Sequence, residues 1–391
     1  MSLQMLLFTI FGNFTNSSYS PLSNFISVRF SINSAELGII TSALFIGSLT
    51  VNFVVGIFVD HLGPRNAIRI AFLFITVGSL IAFEAKLYLT VVLGYYVIGF
   101  GYGIITPSTN SAIMNSSLKD KSTAMGIKQS GVPIGAALST LVLSAIAIRY
   151  TLEYAFLAMS LVAFLFAILS GKEKPAAEKL SINGYFKEFS SALKSRILVI
   201  ISLNAAFLSW AQQTILTYYV PFIHSVGVKI YEAEIMLVLL LVGAVLGRII
   251  WMRGGEALFG RDRVASLSLI MFLAGILTII FSVTSGIFMV TLVVTILLGA
   301  TAVAWNSNFV MVVSEIAPKK LIGVYSGVGL VFLGLGTIIG TPFSGEIRDI
   351  TGSYEIMWYV LGTGLLIASA IFAFLVRPVF KRWIEEGSDP K

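Results

Sequence analysis

Residues 155–169 read AFLAMSLVAFLFAIL, apolar on every side of a helix and broken only by one serine. A strand crossing a membrane would alternate apolar and polar residues over about ten positions, and this stretch does not alternate. A helix of about 20 such residues spans the roughly 30 Å hydrocarbon layer of a bilayer. Working outward at that length, twelve apolar segments separate, near 4–28, 35–59, 66–84, 88–114, 122–148, 152–171, 196–223, 232–252, 264–284, 287–314, 321–345 and 354–376. The composition agrees, with 57% hydrophobic residues, 12% charged residues and a mean hydropathy of +0.93. A soluble domain carries about 25% charged residues, and half that number could not cover its own surface. The expected fold class is therefore an all-α integral membrane protein of twelve transmembrane helices, with the lipid bilayer as its solvent. The opening MSLQMLLFTIFGNF has no basic region and no small-residue cleavage pattern, so it reads as a first span rather than a removed signal.

The net charge of +7 comes from Lys and Arg in short loops, never from a basic face, which excludes nucleic acid as a partner. With the N-terminus cytoplasmic, nineteen of the 26 Lys and Arg residues fall in loops and tail on that side, five (Arg29, Lys86, Arg149, Lys229, Arg348) fall outside, and Lys128 and Arg248 are left inside spans. The positive-inside rule then puts both termini in the cytoplasm of a multi-pass plasma-membrane protein. The longest polar stretch divides the chain into an N-terminal six-helix bundle (1–171), a cytoplasmic linker (172–195), a C-terminal six-helix bundle (196–376) and a cytoplasmic tail (377–391). Within the linker, Tyr185, Phe189 and Leu193 recur one turn apart, as in a helix lying on a membrane surface. Cysteine is absent and the two histidines, His61 and His224, are far apart, so neither a metal site nor another cofactor is expected. A shift of 197 positions superposes DHLGPR (60–65) on ALFGRD (257–262) and MGIKQSG (125–131) on IGVYSGV (322–328), which indicates a two-fold repeat.

Gly56-Ile-Phe-Val-Asp60-His61-Leu62-Gly63-Pro64-Arg65 resembles the GxxxDRxGRR signature of the major facilitator superfamily. The resemblance extends over the chain through twelve spans, a central loop and the repeat. It implies secondary transporters in which this loop latches a gate, with Asp60 facing a helix N-terminus, Gly56 allowing close helix approach, and Gly63 and Arg65 shaping the loop. A carboxylate at a helix N-terminus is favoured by about 0.3 to 1 kcal/mol. Two positions depart, His61 for the family's Arg and Pro64 before Arg65, and the second-half copy has Ala257 in place of Asp60. The family's Arg in span four, linked to proton coupling, is here Tyr95. Gly126 to Gly135 is only loosely similar to the antiporter motif, and its small residues and Pro133 serve helix packing and bending first.

Polar residues within spans point to function, because each needs a partner in hydrocarbon. They gather in span one (Asn13, Asn16, Tyr19), span four (Tyr95, Tyr96, Tyr102, Asn110), span seven (Trp210, Gln213, Tyr218) and span ten (Trp305, Asn306). In the family those four spans line the central cavity, which the resemblance therefore places here as well. Lys128 and Arg248 are the full charges within hydrocarbon, and no Asp or Glu lies deep in any span. An anionic substrate would satisfy both cations. The expected activity is alternating-access transport of a small organic anion, a mono- or dicarboxylate, contacted by Lys128 and Arg248. Partners are the small-molecule substrate and a coupling proton or counter-substrate, handled by a monomer. Efflux of amphipathic or neutral compounds along the aromatic residues is the alternative within the class, and a nutrient sensor that does not transport is the alternative outside it. No HExxH, GxSxG or deep acidic pair suggests an enzyme.

Overall fold

The computed structural model describes residues 2–386 apart from 53–54, 56–58, 60–61, 115, 117–123, 125–126, 172–181, 261 and 319–320. Among the described residues every regular element is a helix. Eleven helices are long and apolar enough to cross a membrane: Ser34–Asn52, Pro64–Phe83, Tyr88–Met114, Ile127–Arg149, Leu152–Leu169, Arg196–Ser225, Ile230–Trp251, Arg263–Thr284, Phe288–Ile316, Val324–Thr351 and Tyr354–Arg382. They correspond to spans two to twelve.

The first span is interrupted into Ser2–Asn16 and Tyr19–Phe30. Pro21 supplies the reason. It has no N–H to give the Ser17 carbonyl, and its ring clashes with the carbonyl four residues back. The Ser20 N–H takes the Ser17 carbonyl instead, at 3.2 Å, and Leu22 resumes the helical pattern on Ser18 at 3.1 Å. Near Tyr19 the proline is in the first turn of the second piece, where a missing donor costs nothing.

The chain forms two compact units, Met1–Ile182 and Asn183–Lys391. In the first, span one packs on five, two on four, and three on six; in the second, seven packs on eleven, eight on ten, and nine on twelve. Each pair of the second unit is the counterpart of one in the first, six spans on, so the repeat seen in two loops extends to packing. Apolar burial gives little net attraction between helices in lipid, and close van der Waals contact takes its place. Glycine permits that closeness. A Cβ on Gly99 would lie 1.9 Å from the Leu44 carbonyl oxygen, and one on Gly299 would lie 1.9 Å from that of Leu240. Ring clusters fill the interiors, Phe8, Phe72 and Phe166 in the first unit and Phe222, Phe281 and Trp358 in the second.

Two spans carry π-helical segments, Gly299–Val303 in span ten and Phe372–Val376 in span twelve. Span ten then turns at Ala304–Trp305 before resuming as Asn306–Ile316, whereas span twelve runs on into Arg377–Glu386. Helices also outrun the apolar segments, Ile322–Thr351 against 321–345 for example, because hydropathy marks the hydrocarbon slab and a helix continues into the headgroups.

Candidate functional site

In the first unit the interrupted span one brings its polar residues against span four. Close approach is allowed at Gly12, where a Cβ would lie 2.7 Å from Ile105 Cδ1. Asn13 is buried; its Nδ2 donates to the Thr9 carbonyl at 2.9 Å and its Oδ1 accepts from the Tyr102 hydroxyl at 3.1 Å. Just past the break, Ser18 Oγ donates to the Tyr95 hydroxyl at 3.2 Å. Tyr95 is fully buried, edge-on to Phe156, and Tyr19 is buried as well. The Asn16 Oδ1 is buried and accepts no hydrogen bond among the described residues. Tyr96 lies apart from this group: successive helical residues point about 100° apart, and the Tyr96 backbone instead abuts Gly47 of span two.

Lys128, one turn before Gly131–Arg149, is completely buried. Its Nζ donates to Asn110 Oδ1 of span four at 2.7 Å. No carboxylate among the described residues pairs with it. The amide oxygen takes one of three ammonium donors and returns no charge, so the positive charge is left without a counter-charge there. Asn110 is half-buried, so the pair stands at the edge of the packed interior.

The second unit carries amides, hydroxyls and indoles. Asn306 Nδ2 donates to Gln212 Oε1 at 2.9 Å, tying spans ten and seven. Gln213 is buried and engaged. Trp305 sits at the break in span ten with its ring 1% exposed and its indole Nε1 without an acceptor among the described residues. Trp210 and Tyr218 point at span eleven: Trp210 Nε1 donates to Ser344 Oγ at 2.8 Å, and the Tyr218 hydroxyl donates to the Thr341 carbonyl at 3.1 Å. A further bond joins Ser209 to Thr337 at 2.9 Å. Arg248 is half-buried, where Lys128 is fully buried, and is engaged with a neighbour.

The sequence reading missed a carboxylate. Glu234, in the second turn of Ile230–Phe259, is 2% exposed. It falls in phase with buried Leu237 and Leu241 three and seven residues on, a register that apolar segmentation alone does not test. Also missed were Thr337, Thr341 and Ser344, whose spacing of four and three puts them on one helix face beside Gly336 and Gly340.

Of the loop residues, Gly63 adopts φ 80°, the region open to glycine, and precedes Pro64 at the first position of span three. Arg65 Nη2 donates to Gln4 Oε1 at 3.2 Å, linking the loop to the start of span one. Gly56 and Asp60 lie outside the described residues.

A family model described as the Major Facilitator Superfamily matches residues 5–251 and 203–390. Similar sequences include the hexuronate transporter of Bacillus subtilis (strain 168), 22% identical over 93% of this chain and 91% of that protein. Monocarboxylate transporter 13 of Rattus norvegicus is 25% identical over 80% of this chain and 74% of that protein. Among solved structures, the nucleoside transporter NupG superposes with a TM-score of 0.79 at 16% identity, covering 95% of this chain and 98% of that one.

Proposed function

The chain belongs to the major facilitator superfamily, and from that membership we propose that it carries a small organic anion, a mono- or dicarboxylate, by alternating access. One observation carries the choice of an anion: Lys128 is fully buried and, among the described residues, meets only the neutral Asn110. A full charge within a span costs at least about 2.5 kcal/mol, which a substrate carboxylate offsets while it is bound. Relatives named for hexuronate and for monocarboxylates share that group with each other. The proposed contacts in the first unit are Lys128, Asn110, Asn13, Asn16, Tyr19, Tyr95 and Tyr102; in the second unit, taken by itself, they are Gln213, Asn306 and Trp305. The neutral donors and acceptors suit the hydroxyls of a hydroxylated acid, the Trp305 indole N–H and Asn16 Oδ1 being one donor and one acceptor still open. Asp60 and its loop are proposed as the latch, and both termini are proposed to be cytoplasmic.

Counterflow into proteoliposomes tests the reading. Labelled galacturonate or lactate should accumulate, unlabelled carboxylates should compete, and Lys128→Ala should cut uptake severely while Lys128→Arg retains more of it. If no organic anion is taken up, or Lys128→Ala is indifferent, the anion reading fails. Competition by lipophilic cations in the same assay would favour efflux of amphipathic compounds instead.

A further inference from the structure

On the outer face of the second unit, spans nine and twelve leave an apolar groove of about 350 Å³. Small residues open it. Ala265 and Ser268 of span nine face Ser369, Ala370 and Ala373 of span twelve, and Ser369 Oγ donates to the Ser268 carbonyl at 2.8 Å along its floor. Bulky residues form its walls, Phe272 at 45% exposure and Phe374 at 78%. Phe374 stands out because it lies in the π-helical segment Phe372–Val376, whose ends Phe372 and Val376 are buried.

One end of the groove is charged. Arg377 lines it and donates from Nε to Asp262 Oδ2 at 2.6 Å. Lys381 stands 4.0 Å from the same oxygen. Asp262 is buried and also caps span nine, accepting from the Ala265 N–H at 3.0 Å. A single carboxylate thus faces two cations, side chains of 37% and 54% exposure, and exposed Arg382 adds a third on the same helix. This end holds the first turn of span nine and the last of span twelve, where headgroups meet the hydrocarbon. The groove is apolar along the acyl region and cationic at headgroup level.

We propose that the groove binds one anionic phospholipid, its phosphate on Arg377 and Lys381 and an acyl chain laid between Phe272 and Phe374. A zwitterionic lipid offers the same chains, but its own ammonium cancels the attraction that the excess cations exert. The site is distinct from the polar residues proposed to meet the transported solute.

Native mass spectrometry of the full chain in detergent, with equimolar dioleoyl phosphatidylglycerol and dioleoyl phosphatidylcholine, provides the test. The wild type should retain one phosphatidylglycerol at least fivefold over phosphatidylcholine. Ala370→Trp, at an exposed groove position that leaves every charge in place, should remove that adduct without lowering the melting temperature. Arg377→Ala with Lys381→Ala should equalise the two lipids. Equal retention of both by the wild type, or an undiminished phosphatidylglycerol adduct in Ala370→Trp, would overturn the proposal.

Discussion

At positions 197 residues apart, the first half of the chain carries Lys128 and the second carries Tyr325. The surrounding segments superpose, and the packing of spans one on five matches that of seven on eleven, so the difference lies in side-chain chemistry rather than in scaffold. The interruptions, by contrast, are differences of backbone. The first unit breaks span one beside Pro21, whose counterpart is Tyr218 within the unbroken span seven, while span ten turns at Ala304, whose counterpart Pro107 sits inside the continuous helix Tyr88–Met114. Under the proposed function the first half meets the solute with a charge, Lys128, set among the neutral groups of Asn13, Tyr102 and Asn110. The solute expected on that proposal has one charged end and a polar, uncharged remainder.

The sharpest way to break this contrast is to remove its charge. Lys128→Ala should lower kcat/KM for the anion by about 100-fold, in the range expected when one member of a buried charge pair is truncated, as read by initial uptake rates. A next test asks whether the frames are equivalent. A Cβ on Gly135 would lie 2.2 Å from the Ile10 carbonyl oxygen and one on Gly336 2.1 Å from that of Ala206. Gly135→Ala and Gly336→Ala should therefore each cost about 2 kcal/mol by overpacking, seen as similar falls in melting temperature. Tolerance of one and not the other would end the claim of matched packing. Asn110→Asp sharpens the charge comparison from the other side. It places a carboxylate where an amide oxygen now lies 2.7 Å from Nζ, and should raise the anion's KM about tenfold by occupying Lys128 internally. The smallest effect is expected at Trp305→Phe, which keeps the ring and deletes the open N–H. KM for a hydroxylated acid should rise about fivefold, the value of one neutral hydrogen bond, with no change for a simple monocarboxylate.

Much of the fold was legible because bilayer thickness imposes a length on every apolar segment, and segments 35–59 through 354–376 each overlap a described helix. The break in span one was harder to read. Pro21 was in plain view, yet span four shows that Pro107 does not interrupt its helix, so the outcome depends on whether neighbouring N–H groups can take over the vacated carbonyl. Lys128 was legible as a charge inside an apolar run. Its partner Asn110 was not, since that contact depends on how two helices 18 residues apart in sequence rotate about their axes. Trp210 and Tyr218 illustrate the same limit: their position in span seven was readable, but their aim at Ser344 and Thr341 follows from the glycine-lined face of span eleven.

The charge of Lys128, which no carboxylate among the described residues pairs, also has an electrical meaning under the proposed function. With a monovalent anion bound, the pair is neutral, and only the empty carrier bears a positive charge within the span. A membrane voltage, worth about 2.3 kcal/mol per elementary charge per 100 mV for a full crossing, then acts in proportion to the part of the field Lys128 traverses. It acts on the return of the empty protein and leaves the loaded step untouched, so an inside-negative cell would favour the empty carrier with Lys128 turned toward its interior.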